Sequence, residues 1–296
     1  LVGAESGATP MDPRQLARVV AAVHEAVIRH EVVRSRDLPL HAVDSATLLL
    51  ASIGLMHRLS PVDMEHARCM LEHLADRWHR HATAHAWLAH LHVLRVQQAG
   101  AGATQSDRAL AKAHAAAGVQ WDSDSPLVLA LDGHTLLHTV RNMEAASDRL
   151  WQALSLRGEH SLAQLFHAEL LALQGHGRAA RESAASATRS MALEPVRYLY
   201  DSIAALAALV DGDAPAAQEH AERAIRRNPR YLPAWRLLVV ALVECDRLGE
   251  ARATQQRLLA RQPAFNGKAF ADSLPLRDDL VYRFSDALLQ AGAPPA

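Results

Sequence analysis

The chain has 296 residues, of which half are hydrophobic but only 4% are aromatic. Its apolar residues are mostly Ala and Leu, which favour helices, so the composition predicts an all-α fold and argues against all-β and doubly wound α/β folds. The net charge of −1 argues against a dedicated nucleic-acid-binding domain, and we therefore expect no nucleic-acid partner for this chain.

The cysteine content and the length of the apolar runs indicate the cellular location of the protein. Two cysteines, Cys69 and Cys245, are too few for a disulfide scaffold, which indicates a reducing environment. No apolar run approaches the roughly 20 residues that a membrane-spanning helix needs, so we expect no membrane span and a cytoplasmic location. Residues 1–11 lack the basic and apolar regions of a signal peptide, and we expect them to be disordered or derived from an expression vector.

The first predicted helices lie in the N-terminal quarter of the chain. A helix begins near Pro13, because proline is favoured at the first helical position, and extends to about Arg36. Residues 45–59 and 61–80 predict two further helices, which are separated by a short turn. We expect residues 12–83 to form N-terminal helices that include one degenerate repeat.

A repeat of 34 residues organises the middle of the chain. Proline recurs at Pro195, Pro229 and Pro263, and each interval contains two helix-length segments joined by a short turn. Small residues recur in the second segment of each unit, where they would let a neighbouring helix approach closely. The first small residues of the successive units are Ala109, Ala146, Ala180, Ala217 and Ala251.

This pattern resembles the tetratricopeptide repeat (TPR), a helix–turn–helix unit of 34 residues. The usual Trp, Leu, Tyr-like, Ala and Pro positions of the motif are taken here by Trp235, Leu238, Leu242, Ala251 and Pro263. Val239 and Gln255 depart from it, at a small-residue and an aromatic position. The resemblance covers residues 84–263 and implies an α-solenoid of TPR-like hairpins with flanking helices. Residues 264–296 are then expected to supply a capping helix, over 276–291, and a tail.

The resemblance also implies a concave inner surface lined mainly by the first helix of each repeat. Its register assigns the following residues to a partner-binding concave face: His85, His92, Arg95, Thr135, His138, Leu165, Glu169, Leu199, Ser202, Leu206, Leu209, Arg236 and Val240. This surface is more apolar than a solvated groove. Either the groove binds an apolar or helical peptide, or the superhelix is tight and flanking helices fill the groove.

The sequence contains one candidate metal site. His66, Cys69 and His73 are spaced so that one helix face could present two imidazoles and a thiolate to zinc or copper. With no fourth ligand evident, surface histidines in a histidine-rich protein are the simpler interpretation, and we expect no metal or other cofactor.

Two further charge patterns have simple alternatives. The 18 histidines could act together as a pH switch, or they could reflect composition alone. A cluster of arginines near Pro229 could hold a phosphate or an acidic partner, or the arginines could lie at a helix C-terminus, where positive charge is favourable. The cluster comprises Arg223, Arg226, Arg227, Arg230 and Arg236.

The sequence contains none of three short motifs that are typical of enzymes: it has no phosphate loop, dinucleotide fingerprint or nucleophile elbow. We therefore expect a non-enzymatic scaffold that binds a protein or peptide, with its oligomeric state open. The chain is also similar to the helical-repeat C-terminal regions of bacterial transcriptional regulators and nucleotide cyclases, in the tracts 124–134, 195–206 and 286–292, which implies a regulatory or adaptor role. The alternatives are a sensor of a small molecule or metal with a pocket inside the solenoid, and a secretion chaperone or assembly factor.

Overall fold

The computed structural model describes residues 13–36, 38–77, 80–100, 105–190, 194–273 and 276–294, and the segment 1–11 lies outside them. The described residues form fifteen α-helices and no strand, as the composition predicts. The helices are α1 Pro13–Arg36, α2 Ser45–Met56, α3 Pro61–Arg77, α4 Ala82–Ala99, α5 Gln105–Trp121, α6 Pro126–Thr135, α7 Met143–Leu156, α8 Ser161–Leu173, α9 Gly177–Arg189, α10 Arg197–Val210, α11 Ala214–Arg227, α12 Leu232–Glu244, α13 Leu248–Arg261, α14 Gly267–Ser273 and α15 Asp278–Gln290.

From α2 onward the helices pair as successive antiparallel hairpins, and neighbouring hairpins stack on one another. This architecture confirms the predicted α-solenoid of TPR-like hairpins with flanking helices. The observed ends differ by a few residues from the expected ones, since α2 ends at Met56 and α3 at Arg77. The short helix α14, which the sequence did not predict, pairs with the closing helix α15.

Four of the five recurring alanines are buried in the packing between helices. The expectation for the fifth, Ala109 of α5, is wrong: it is exposed, and the buried small residues of that helix begin two positions later, at Ala111. Ala146, Ala180, Ala217 and Ala251 are completely buried. A methyl side chain at these positions lets the backbones approach closely. The repeat in the sequence therefore produces the same close contact between helices in successive repeats. Gly177 shows a closer backbone approach still, because a Cβ atom added there would lie 2.4 Å from the backbone nitrogen of Asp211.

The superhelix is tight enough for distant hairpins to touch. The C-terminal end of α4 reaches the start of α12, where the side-chain amide of Gln98 donates to the carbonyl of Arg230 at 2.7 Å and accepts from the backbone nitrogen of Leu232 at 2.9 Å. Near the N-terminal side, Asn228 donates to the carbonyl of His57 at 2.8 Å. The first helices of the hairpins therefore surround a narrow interior instead of an open groove.

Candidate functional site: a central cavity and a buried histidine cluster

The interior of the superhelix contains a partly open cavity of about 90 Å³. Its apolar wall comes from α8, α10 and α12, with Phe270 of α14 on one side. Its polar wall includes Gln97, Arg108 and Tyr231. Five of the side chains assigned to the concave face from the sequence also line it: His138, Glu169, Ser202, Leu206 and Arg236.

Most of the sequence-assigned concave residues are buried by the protein itself. Ten of the thirteen are buried, namely His92, Thr135, Leu165, Glu169, Leu199, Ser202, Leu206, Leu209, Arg236 and Val240. The remaining three, His85, Arg95 and His138, are half-buried. Five of the thirteen line the central cavity, and most of the others are buried because the superhelix closes on itself. A role of these residues in partner binding remains a prediction.

Arg236 holds the closed arrangement together at the cavity wall. Its guanidinium is buried and donates to the carbonyls of Gln97 and Gln98 at 2.8 and 2.7 Å, and to the side-chain oxygen of Gln262 at 2.8 Å. The carbonyls belong to the last turn of α4, where a positive charge is stabilised by the helix dipole. Burial lowers the pKa of Arg236 to about 9, which still leaves it charged at neutral pH.

Three titratable side chains converge beside the cavity. His138 Nε2 lies 3.0 Å from Glu169 Oε1, and His134 Nε2 lies 3.4 Å from Glu169 Oε2. The amide nitrogen of Gln97 lies 3.0 Å from His138 Nε2 and 3.4 Å from His134 Nε2. Among the described residues, His134, His138 and Glu169 are the one set of three whose ligand atoms all lie within 4.8 Å of one another.

Local chain geometry brings the two imidazoles to one side. They are four residues apart, a spacing that places both on one helix face. The helix α6 continues into a π-helical turn, Leu136–Val140, which carries His138. Such turns are frequent at functional sites. His134 is oriented by stacking on Phe166, with the ring centroids 4.0 Å apart and the rings 12° from parallel.

Burial and pairing set the charge of these groups. Burial lowers the pKa of His134, even though Glu169 opposes this effect, and so favours the neutral imidazole at pH 7. Burial by itself would raise the pKa of Glu169, but the neighbouring His138 and His134 outweigh burial and hold that pKa below its usual range. The cluster therefore presents an ionised carboxylate and a neutral imidazole.

Two more buried histidines extend the cluster into the core. His90 lies 5.3 Å from His134 between ring centroids, and His57 lies 5.4 Å from His90. His57 Nδ1 is 2.9 Å from the hydroxyl of Tyr198. Burial lowers the pKa of His57 to about 3 and that of His90 well below its usual value, with the neighbouring histidines adding to the effect on His90. His57, His90 and His134 are therefore all neutral at pH 7.

The sequence-derived metal candidate is not assembled. The ligand atoms of His66, Cys69 and His73 do not all come within 4.8 Å of one another. The Cys69 thiol instead lies 3.9 Å from a carboxylate oxygen of Glu65 on the same helix. The outer pair His85 and His114 stacks at 5.4 Å, away from the cavity cluster.

The predicted arginine cluster is largely engaged in ion pairs. Arg223 and Arg227 both contact Asp201, at 2.8 and 2.7 Å, and Arg226 lies 3.6 Å from Glu222. Arg236, the fifth member, is buried at the cavity, away from the surface. Arg226 and Arg227 occupy the last turn of α11, which favours the helix-terminus interpretation over a phosphate site.

Sequence reasoning identified His138 and Glu169 as inner residues but did not connect them with His134. The spacing of the two histidines was visible, because it is the spacing that places two ligands on one helix face. Nothing in the sequence indicated that Glu169, on the next hairpin, faces both. His57, His90 and Gln97 were also missed as members of the interior cluster.

The fold is that of a TPR-type α-solenoid. Residues 208–271 match the family model described as tetratricopeptide repeat. No curated protein matches the chain. No described helix is both long enough and apolar enough to traverse a membrane.

Two solved structures resemble this fold over most of the chain. The APC/C hetero-tetramer Cut9-Hcn1 has a TM-score of 0.61 at 14% identity, and the match covers 92% of this chain and 48% of that one. The human IFIT1 dimer with m7Gppp-AAAA has a TM-score of 0.60 at 14% identity, covering 78% of this chain and 52% of that one. The chain thus spans about half the length of these structures. The likeness concerns the fold, and with the repeat match it supports a TPR protein.

Proposed function

We propose that the chain is a non-enzymatic regulatory or adaptor scaffold that binds a protein partner and takes a small polar ligand in its central cavity. The TPR fold is commonly a protein-interaction scaffold, and this part of the proposal rests on the repeat match and the fold. The second part rests on one observation: side chains from α4, α5, α8, α10, α12 and the π-helical turn after α6 converge on one interior cavity. A mainly apolar pocket with a few convergent polar groups is typical of small-ligand sites.

The size of the cavity favours a small ligand over an extended peptide. About 90 Å³ is less than the roughly 150 Å³ of a cavity that admits benzene, so it accommodates a group of only a few heavy atoms. An extended peptide along the concave face would have to displace buried side chains such as Leu199 and Leu209. It would also need the contacts between α4 and α12 to open. A single side chain or terminus of a partner could still enter the cavity.

The cavity wall offers a physical route from ligand to scaffold. Arg236 and Gln97 line the cavity and also join α12 to α4. A ligand that contacts them would have a different affinity for the closed and the opened superhelix, and would shift the balance between the two. The outer surface that a partner meets depends on that balance. This coupling is what would make the scaffold regulatory.

The proposal can be tested by filling the cavity. In L206F a phenyl ring replaces a cavity-lining isobutyl group, and L289F makes the same change at an exposed position of α15. Full chain and variants are purified, checked for folding by circular dichroism, and denatured for mass spectrometry of co-purifying small molecules. We expect a bound small molecule in the full chain and in L289F, and its absence from L206F. S202V provides a second cavity-filling variant.

The partner is sought in the same experiment by affinity capture with all three proteins. Loss of both the small molecule and the partner in L206F supports a coupled sensor. Loss of the partner alone would indicate that a side chain or terminus of the partner itself occupies the cavity. Equal capture by all three proteins, with no small molecule in any, would contradict the role of the cavity and leave a scaffold acting through its outer surface.

A further inference from the structure

The space between His134, His138 and Glu169 is lined by atoms that can bind a cation. Two imidazole Nε2 atoms and two carboxylate oxygens surround it, and each can act as the ligand of a cation. Glu169 Oε2 is buried and makes no hydrogen bond, although His134 Nε2 is 3.4 Å away. Glu169 has no Arg or Lys within ion-pair distance among the described residues. The buried carboxylate therefore lacks a permanent positive partner, which is costly in the interior.

The distances fit a small divalent ion. Zinc binds imidazole nitrogen and carboxylate oxygen at about 2.0–2.2 Å, so two ligands of a tetrahedral site lie roughly 3.4 Å apart. The observed separations of 3.0 and 3.4 Å between the imidazole nitrogens and the Glu169 oxygens are close to that edge length. The three ligand side chains need to move little to admit an ion, but the amide nitrogen of Gln97, 3.0 Å from His138 Nε2, would have to turn away from the imidazoles.

The cavity gives an ion access to the site and leaves its fourth coordination position open. His138 and Glu169 line the cavity, whereas His134 lies behind them against Phe166. An ion held by the three side chains would thus face the cavity on its remaining side, as in metal sites with three protein ligands and one exchangeable ligand. Two imidazoles with one carboxylate suit zinc, cobalt, nickel and ferrous iron better than magnesium or calcium.

We propose that His134, His138 and Glu169 form a binding site for one divalent transition-metal ion, with its fourth coordination position open to the central cavity. This site deepens the proposed function, because the ion is either the sensed ligand or the group that holds it. His134 Nδ1 is buried without a hydrogen-bond partner, so the outer shell is incomplete. We expect its affinity to be about tenfold to hundredfold below that of a site with a complete outer shell.

The test uses the full chain after removal of metal with a chelator. It is titrated with Co²⁺, whose visible absorption reports tetrahedral coordination, and binding of Zn²⁺ is measured by equilibrium dialysis with elemental analysis. We expect one equivalent of metal per chain. E169Q removes the charged ligand while keeping the shape of the side chain, and H138Q removes an imidazole at the cavity wall. Each variant should weaken Co²⁺ binding by about tenfold or more.

H66Q is the matched control, because His66 is an exposed histidine of the alternative set with Cys69 and His73. Circular dichroism shows whether each variant is folded. If E169Q is unfolded, Co²⁺ binding by H138Q alone is compared with that of the full chain. The proposal is overturned if the full chain binds no metal, if E169Q or H138Q, once folded, binds as tightly as the full chain, or if H66Q weakens binding as much as they do.

The outcome is separable from that of the cavity test. Metal bound by the full chain, with no small molecule or partner affected by L206F, would support the metal site and contradict the cavity's regulatory role. A small molecule that L206F excludes, from a chain that binds no metal, would do the reverse.

Discussion

The guanidinium of Arg236 donates a hydrogen bond of 2.8 Å to the backbone carbonyl of Gln97, which lies 139 residues earlier in the chain. Gln97 is at the end of α4 and Arg236 is in the first half of α12, so this bond joins hairpins that are not neighbours along the solenoid. The same guanidinium also bonds Gln98 and Gln262. Together with the contacts of Gln98, this side chain closes the superhelix around the cavity.

Loss of this side chain should destabilise the fold. R236M keeps an unbranched apolar stem but leaves the carbonyls of Gln97 and Gln98 without their charged donor, at an expected cost of about 3 kcal/mol in the free energy of unfolding. Urea denaturation followed by circular dichroism measures the change. R230M is the control, because Arg230 is exposed, and it should change the free energy by less than about 0.5 kcal/mol. Equal effects of the two variants would refute the closing role of Arg236.

The buried histidines should make the fold sensitive to acid. The pKa of His57 is about 3 in the folded chain against 6.5 as its ordinary value. As the pH falls below 6.5, the unfolded chain takes up a proton that the folded chain does not, so stability is lost with falling pH until the folded pKa is reached. From pH 7 to pH 5 this single residue should lower the free energy of unfolding by about 2 kcal/mol.

H57N tests this expectation, because asparagine can keep a polar contact with Tyr198 and does not titrate. Urea denaturation at pH 7 and pH 5 should show a loss of stability that is smaller by about 2 kcal/mol in H57N than in the full chain. H66N, at an exposed position, should follow the full chain. If H57N and the full chain lose the same stability, protonation of His57 does not oppose folding.

Close approach at Gly177 should make this position intolerant of any side chain. In G177A the new Cβ atom would collide with the backbone of Asp211, which cannot move as a flexible side chain would. We expect a loss of about 2 kcal/mol in the free energy of unfolding. G249A is the comparison, since Gly249 is near the start of α13 with nothing within 4 Å of an added Cβ. There alanine should stabilise the helix by about 0.5–1 kcal/mol. Thermal denaturation distinguishes the opposite signs, and a stabilised G177A would contradict the packing argument.

The buried alanine stripe predicts a similar contrast within one helix. Ala180 of α9 is completely buried, whereas Ala185 of the same helix is exposed. A180L should overpack the contact between hairpins and lower the free energy of unfolding by about 1–3 kcal/mol, while A185L should be nearly neutral. Chemical denaturation of both variants measures the difference. Similar stability of the two would show that the alanines do not set the spacing of the hairpins.

The fold could be predicted from the sequence because most of its packing contacts join helices that are close in the sequence. Each hairpin and its alanine contact repeat along the chain, so periodicity alone placed Ala146, Ala180, Ala217 and Ala251 where helices meet. It failed at Ala109, which is exposed, because the repeat is irregular there and α5 buries Ala111 instead. The interior could not be predicted in the same way. Contacts such as Gln98 with Leu232 join residues 134 positions apart, and no repeat encodes them. For that reason positions such as Leu209 were expected to be open to a partner, whereas the closed superhelix buries them.

Closure also changes how the molecule should unfold. In an open solenoid each unit touches only its neighbours, so terminal units can fray one at a time. Here the hydrogen bond between Gln98 and Arg230 joins residues 132 positions apart and closes the chain between them into a ring, so the hairpins within it are held at both ends. The ring must form late, after a long stretch of chain has ordered, which slows folding. Once formed, it makes the central hairpins melt together, giving a repeat protein the cooperativity of a compact domain.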